Sequence, residues 1–136
     1  MSSSRIKGIT IELGGDTTGL SKALSGVEKN INTTKKSLKD VEKLLKLDPT
    51  NTELLRQKQD LLGKEVAQTS EKLEALKNAE MHVQEQVKEG KVSQEQYDAL
   101  KREIISTSQE LEELEKAAKK SNATLSERSA VASVKS

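Results

Sequence analysis

Apolar residues recur at alternating three- and four-residue steps in three long stretches of the chain. This spacing places them on one narrow stripe of a helix, as in the seam of a coiled coil. The three stripes are Leu24, Val27, Ile31, Leu38, Val41 and Leu45; then Leu62, Val66, Leu73, Leu76, Val83 and Val87; then Tyr97, Leu100, Ile104, Leu111, Leu114 and Ala118. The pattern predicts an all-α fold, with three long helices in an antiparallel coiled-coil-like bundle.

Two short segments interrupt the stripes and set the predicted helix ends. Pro49 disfavours a helical conformation at the residue before it. Gly90 can end a helix in the left-handed conformation, and Ser93-Gln94-Glu95-Gln96 is a capping box. We therefore predict a three-helix domain over residues 18–120, with helices over about 19–47, 50–89 and 94–120. A third helix of this length would leave residues 38–62 as a projecting two-helix tip.

Residues 1–17 read as one short strand followed by a glycine-rich turn. Ile9, Ile11 and Leu13 alternate with polar residues, which is typical of a strand. The glycine pair that follows breaks the alternation, and a polar side chain from residues 16–18 should cap the first helix. Because a lone strand cannot satisfy its own backbone, we expect Ile9, Ile11 and Leu13 to bind a partner through strand pairing with another chain.

Four stripe positions carry polar residues, namely Thr34, Thr69, Glu80 and Thr107. These residues are either tolerated in a shallow core or mark faces that meet another chain and set its register. Because a thin seam buries few side chains, we expect self-association. Residues 121–136 are rich in Ser and Ala and lose the stripe, so we expect a flexible tail there.

Composition narrows the possible functions. The chain is 33% charged with a net charge of +1, and Tyr97 is its one aromatic residue. A balanced charge gives no electrostatic footprint for nucleic acid or for an anionic membrane, so we expect no direct nucleic acid binding. The chain has no cysteine, and no apolar run approaches the length of a membrane span. We therefore expect no membrane segment in this chain.

The motifs that carry chemistry are missing or incomplete. Residues 14–19 follow a strand as a phosphate-binding loop would, but they lack the Gly-Lys-Ser/Thr ending that contacts phosphate and magnesium. His82 is the only histidine and has no cysteine or second histidine as a metal partner. The glutamates of residues 110–115 are spread around the helix axis by their spacing. We expect no enzyme activity, no catalytic residue, no metal site and no cofactor.

Three segments resemble the N-terminal region of phage tail tape measure proteins, particularly those of siphophages and prophages of Gram-positive bacteria. They are Ile6–Leu20 (IKGITIELGGDTTGL), Lys43–Leu55 (KLLKLDPTNTELL) and Gly90–Tyr97 (GKVSQEQY). The resemblance covers the chain up to about Thr124 and is specific in order and spacing. It ends there, because residues 126–136 do not look like the continuation usual in this family.

The resemblance implies a structural role in tail-length determination and tail assembly. The implied partners are tail tube or tail assembly chaperone proteins. The implied location is the tube lumen of the virion tail, after assembly in the host bacterial cytoplasm. As one continuous helix, 136 residues would span only about 200 Å. We therefore interpret the chain as a terminal docking domain rather than as the ruler itself. The alternative is a generic coiled-coil adaptor or assembly chaperone.

Overall fold

The computed structural model describes residues 5–13 and 16–135, and the side chains of Leu13, Asp16 and residues 129–135 are not among the described ones. Five elements follow one another along this part of the chain. They are β1 (Thr10–Leu13), β2 (Asp16–Gly19), α1 (Leu20–Leu47), α2 (Thr52–Lys88) and α3 (Gln94–Lys135). The predicted all-α bundle of three helices is confirmed, with a small antiparallel sheet at its N-terminus.

The prediction of a lone N-terminal strand is wrong. β1 pairs with β2 in an antiparallel ladder in which Thr10 lies opposite Gly19 and Leu13 opposite Asp16. β2 therefore satisfies the backbone groups along one edge of β1 inside the chain. Capping of α1 by residues 16–18 is also wrong, because these residues are in β2 and the N-cap is Gly19, which makes no side-chain cap.

The turn between α1 and α2 follows the predicted break at Pro49, with a small change in the helix start. Asn51 is the N-cap of α2, and its side chain accepts a hydrogen bond of 3.0 Å from the backbone N–H of Leu54. The helix therefore begins at Thr52 rather than at residue 50. It continues without a break through Gly63, which has open space where a side chain would lie.

The turn between α2 and α3 has the predicted geometry. Gly90 has φ of 78°, and the N–H of Lys91 donates to the carbonyl of Gln86 over 2.8 Å, the bond that defines a Schellman motif. Ser93 and Gln96 then form the capping box. The N–H of Gln96 donates to Oγ of Ser93, and the N–H of Ser93 donates to Oε1 of Gln96. Together these bonds reverse the chain direction within a few residues.

The predicted end of the third helix near residue 120 and the projecting tip are both corrected. α3 does not end near Lys120 but continues to Lys135, because no proline or glycine interrupts residues 121–135. The added length carries α3 past the start of α2. Leu55 of α2 and Ser121 of α3 line the same cleft, so α3 covers one side of the tip.

The main apolar core lies at the end of the bundle closed by the hairpin. α2 is the central helix and packs against both α1 and α3. The core cluster draws from β1 and the segment before it, from the three helices and from the α2–α3 turn: Ile6, Ile9, Ile11, Leu20, Leu24, Leu76, Ala79, Val83, Val92 and Leu100. The hairpin therefore seals the open end of the bundle. Towards the middle of the bundle the interior becomes polar, and this polar interior is the candidate site.

Candidate functional site

The inward stripe of α2 is half polar. Its members alternate at three- and four-residue steps and are buried: Leu62, Glu65, Thr69, Lys72, Leu76, Ala79, Val83 and Gln86. Four of the six predicted stripe residues are buried, namely Leu62, Leu73, Leu76 and Val83. The other two predicted residues are Val66 and Val87. Those two valines are only half-buried. α2 lies between two helices and buries a wider face than a simple seam, so polar residues next to the apolar stripe are also enclosed.

On α3 one predicted stripe residue, Leu100, is buried, whereas α1 buries four of its six. Glu103 and Thr107 are buried on α3, while Ile104 is half-buried beside them. On α1 the buried residues are Leu20, Leu24, Ile31, Thr34, Leu38 and Val41, which include most of the predicted stripe. α2 and α3 also bury polar residues next to their apolar ones, and these bring charged groups to face each other in the interior.

Four charged side chains meet there, each from a different part of the chain: Arg5 before the hairpin, Glu28 on α1, Lys72 on α2 and Glu103 on α3. We call this set the ionic junction. Nζ of Lys72 lies 3.3 Å from Oε1 of Glu103 and 3.4 Å from Oε1 of Glu28. NH1 of Arg5 lies 3.6 Å from Oε2 of Glu103. Two bases and two acids leave the ionic junction electrically neutral, which is the condition for keeping charges buried.

Burying the charges of the ionic junction costs free energy, because the charged groups lose their hydration. The side chains of Lys72 and Glu103 are only 6% and 1% exposed. Oγ1 of Thr107 donates to Oε1 of Glu103 over 3.3 Å, which satisfies one further lone pair. Oε2 of Glu103 makes no hydrogen bond to any described residue, so Arg5 compensates it by charge. Because an unpaired buried charge is costly, the three helices are held in the one register that brings these groups together.

A second polar contact joins α1 and α2 further along the bundle. Oγ1 of Thr34 donates to Oε1 of Gln68 over 2.8 Å. Thr69 is 1% exposed, and its hydroxyl finds no hydrogen-bond partner among the described residues. Three of the four predicted polar stripe residues, Thr34, Thr69 and Thr107, are thus buried within the chain. The fourth, Glu80, is half-buried and accepts from the Tyr97 hydroxyl over 3.2 Å.

Glu65 extends the polar stripe towards the tip. Its burial raises the pKa of the carboxyl, nearby Lys35 partly offsets that effect, and the carboxylates of Glu110 and Glu42 add to it. Nζ of Lys35 in turn lies 2.7 Å from Oε1 of Glu110, and this ion pair joins α1 to α3. The folded bundle therefore favours a protonated Glu65 more than the unfolded chain does.

Sequence reasoning found the polar threonines and missed the ionic junction. Residues 65, 72, 79 and 86 recur every seven positions, which places them on one face of α2. The prediction used only the apolar residues of the helix and therefore did not include this repeat. Arg5 could not be found from spacing, since it reaches Glu103 from outside any helix.

Of the three residues predicted to bind a partner, two are in the core and the third has no described side chain. Ile9 and Ile11 are buried in the apolar core, 1% and 5% exposed. The backbone of Leu13 pairs with Asp16, and its side chain lies outside the described residues. Their proposed role rested on an unpaired strand, and that premise is wrong. Partner binding through these three residues stays a prediction, and it would require two of them to leave the core.

Other candidate chemistry can be placed on the fold. His82 is exposed on α2. Among the described residues, no group of three or more histidine, cysteine, aspartate or glutamate side chains is arranged to hold a metal ion. Within residues 5–13 and 16–135, no helix combines the length and the apolar character needed to cross a membrane. No protein family model, curated protein or solved structure matches the chain.

Proposed function

We propose that the chain is a helical docking domain of a phage tail tape measure protein and acts in tail-length determination and tail assembly. One observation carries the proposal: the three segments that resemble this family lie where the chain changes direction. Residues 6–20 contain β1, β2 and the first residue of α1. Residues 43–55 span the end of α1, the turn and the start of α2, and residues 90–97 span the turn after α2 and the start of α3. The resemblance thus concerns the segments that determine this fold.

The dimensions of the bundle support docking rather than measurement. α3 is the longest element, and its 42 residues span about 63 Å at 1.5 Å per residue. The folded chain is therefore shorter than a continuous helix of the same sequence. In this proposal the folded domain docks at the end of a longer ruler. It contacts tail tube or tail assembly chaperone proteins in the host cytoplasm and later resides in the tube lumen.

The polar interior supports a role as a structural module. Its charged groups are paired inside the bundle and hold three helices in one register. The proposal assigns no catalysis, cofactor or direct nucleic acid contact to the chain, in keeping with a net charge of +1. Its recognition surfaces would be the outer faces of the helices, which self-association or a tail protein would cover.

An in-frame deletion in the phage or prophage that encodes the chain tests this function. Removing the codons for residues 5–135 should abolish tails or change their length distribution in electron micrographs, and expression of the intact chain should restore them. The matched control is Gly63→Ala, which places a methyl group in open space and should leave the tails unchanged. Tails of normal number and length after the deletion would contradict the proposal.

One observation favours the alternative of a generic coiled-coil adaptor or assembly chaperone. The segments that carry the resemblance use caps, a proline and a glycine turn, and any helical hairpin can use these features. These alternatives differ from the proposed function in the location of the chain or of its gene. An assembly chaperone would be found with tail intermediates and be absent from finished tails. A cellular adaptor would be encoded away from tail genes.

A further inference from the structure

One flank of α1 is a row of exposed lysines. Seven residues make almost two full turns of a helix, so residues at this spacing lie one above another on the same flank. Four lysines recur at this spacing, and we call them the lysine ridge: Lys22, Lys29, Lys36 and Lys43. All four are exposed, and within the described part of the chain none of them pairs with a carboxylate. The lysine ridge is about 32 Å long at 1.5 Å per residue.

The lysine ridge lies on the side of α1 that faces away from the bundle. Its first three lysines each precede a buried residue of α1 by two positions, and these buried residues are Leu24, Ile31 and Leu38. Two positions correspond to about 200° around the helix axis. The core therefore holds one side of α1, and the lysine ridge occupies the opposite side.

Charge is distributed unevenly among the helices. α1 has seven lysines and three acidic residues, whereas α2 has six basic and seven acidic residues and α3 has seven and eight. Two of the acidic residues of α1 face other helices. Glu28 reaches Lys72, and Glu42 lines the cleft that α3 shares. Asp40 is the one acidic residue of α1 beside the lysine ridge. The net charge of +1 therefore includes a basic face on α1.

The spacing of the lysine ridge fits a partner helix. Two helices packed side by side bring their flanking positions together every seven residues, about every 10.5 Å. A partner helix with acidic residues at that spacing can place a carboxylate against every lysine of the ridge. A DNA strand has one phosphate per about 3.4 Å of helix axis and winds around the duplex, so a straight ridge meets it only over a short distance.

Two exposed leucines lie at the end of the lysine ridge near the α1–α2 turn. Leu44 is 49% exposed and Leu47 is 84% exposed. Leu47 follows Lys43 by four residues, so the two are neighbours on the helix surface. A phosphate backbone offers no apolar surface to these leucines, whereas an amphipathic helix does. The leucines therefore favour a protein partner over nucleic acid.

The rest of the chain offers no matching row of acids. In neither α2 nor α3 do acidic residues occupy three successive positions at seven-residue spacing. Two copies packed ridge against ridge would place lysine against lysine, which is repulsive. The partner that the lysine ridge fits is therefore a different protein.

We propose that the lysine ridge binds an acidic amphipathic helix of a different protein. This helix carries glutamate or aspartate at every seventh position and an apolar residue that packs on Leu47. The ion pairs align the two helices and speed their association, and the contact at Leu47 removes apolar surface from water. This inference does not depend on the phage role proposed above.

Fluorescence anisotropy with two labelled helical peptides tests the lysine ridge. Both are about 28 residues, or about 42 Å, long, and consist of alanine and glutamine with four glutamates and a leucine near each end. The first has glutamate at every seventh position, and the second has the glutamates five residues apart, which spreads them around the axis. The chain should bind the first about tenfold more tightly, the combined effect of four exposed ion pairs.

Two variants with the same change in net charge show where the peptide binds. Replacing all four ridge lysines by glutamine should weaken binding of the first peptide about tenfold. The matched control replaces four exposed lysines of α2 and α3 by glutamine, namely Lys64, Lys77, Lys119 and Lys120. It should change the affinity by no more than about twofold, because salt screens distant charges. Leu47→Ser should weaken binding only of a peptide that has its leucines.

The outcomes separate an acidic helix from other partners. Equal affinity for the two peptides, or equal losses in the two lysine variants, would show a response to net charge alone and overturn the proposal. Failure of the chain to bind the first peptide at low salt would also overturn it. A DNA duplex of about 12 base pairs that binds more tightly than the first peptide, and more weakly to the ridge variant, would overturn it in favour of nucleic acid. Circular dichroism checks that each variant keeps its helix content.

Discussion

Nζ of Lys72 on α2 lies 3.3 Å from Oε1 of Glu103 on α3, in an interior where both side chains are almost wholly enclosed. The same amine reaches Glu28 on α1, and Arg5 approaches the second oxygen of Glu103. One buried amine thus links all three helices, and one buried carboxylate extends the link to the N-terminal segment. Apolar seams would allow the helices to slide by a heptad, whereas these charges are paired in only one register.

Lys72→Met should destabilise the fold strongly, because it leaves Glu28 and Glu103 without their shared buried cation. We expect a loss of about 3–5 kcal/mol in the free energy of unfolding, measured by urea denaturation. Lys77→Met, at an exposed position on the same helix, should change it by no more than about 0.5 kcal/mol.

A double-mutant cycle checks that the loss arises from the pair. Adding Glu103→Gln to Lys72→Met should cost much less than the two single losses combined, since each removes the charge that the other leaves unpaired. Strictly additive losses, or a single loss below about 1 kcal/mol, would contradict the interpretation of the ionic junction.

Glu65 should make stability depend on pH. Burial raises its pKa above the ordinary value of 4.5, so the folded chain holds this proton to higher pH than the unfolded chain does. The stability that this group contributes is full below its ordinary pKa and is lost as the pH rises through the raised pKa. Glu65→Gln should therefore be more stable than the wild type at neutral pH, and the difference should shrink as the solution is acidified below the ordinary pKa.

Chemical denaturation at both pH values measures this difference, and Glu74→Gln on the exposed side of α2 is the matched control. A Glu65→Gln variant that gains nothing at neutral pH would show that the Glu65 carboxylate is ionised in the bundle without cost.

Two glycines in and after α2 should respond in opposite directions to alanine. Gly90 has φ of 78°, so Gly90→Ala should lose about 1–2 kcal/mol by forcing a side chain into the left-handed region. Gly63 is in the helix interior, and no atom of the described residues lies within 4 Å of an added Cβ, so Gly63→Ala should gain up to about 1 kcal/mol. Thermal unfolding followed by circular dichroism measures both. Shifts of the same sign would contradict the assigned helix end.

Ile9 should behave as a core residue. Ile9→Ala removes a side chain that is 1% exposed in the main apolar cluster, and we expect a loss of about 2–5 kcal/mol in the free energy of unfolding. Thr17→Ala, exposed on the adjacent strand, should change it by no more than about 0.5 kcal/mol. If Ile9→Ala unfolds like the wild type but loses a binding partner, the original assignment of Ile9 to a partner surface would be correct.

The positions of the helices and turns were predicted more accurately from the sequence than the buried side of each helix. The chain reversals at Pro49 and Gly90 depend on local backbone chemistry, so they could be predicted from a few residues. Which residues of α2 and α3 face inward depends on what packs on each side of these helices. A prediction that selects only apolar residues does not include Lys72 and Glu103, which are buried. Residues 16–18 are threonine and aspartate, which serve both caps and hairpins, so local sequence does not separate these two roles.

The length of α3 and the position of Arg5 depended on tertiary contacts. A stretch rich in Ser and Ala with no strong apolar stripe reads as a frayed tail. Yet Ser121 is buried and Thr124 half-buried beside α2, so the helix has something to pack against there. Arg5 reaches its partner only because the hairpin folds back onto the bundle, and that placement has no signature in local spacing.

Mass spectrometry of purified tails tests the central claim most directly. The proposed role predicts that tails of the encoding phage or prophage contain peptides from residues 5–135, in a constant ratio to the tail tube protein across preparations. The same peptides should stay with the tails through washing at high salt, since a domain inside the tube is not accessible to exchange. Finished tails that lack these peptides, or lose them on washing, would contradict the proposed role.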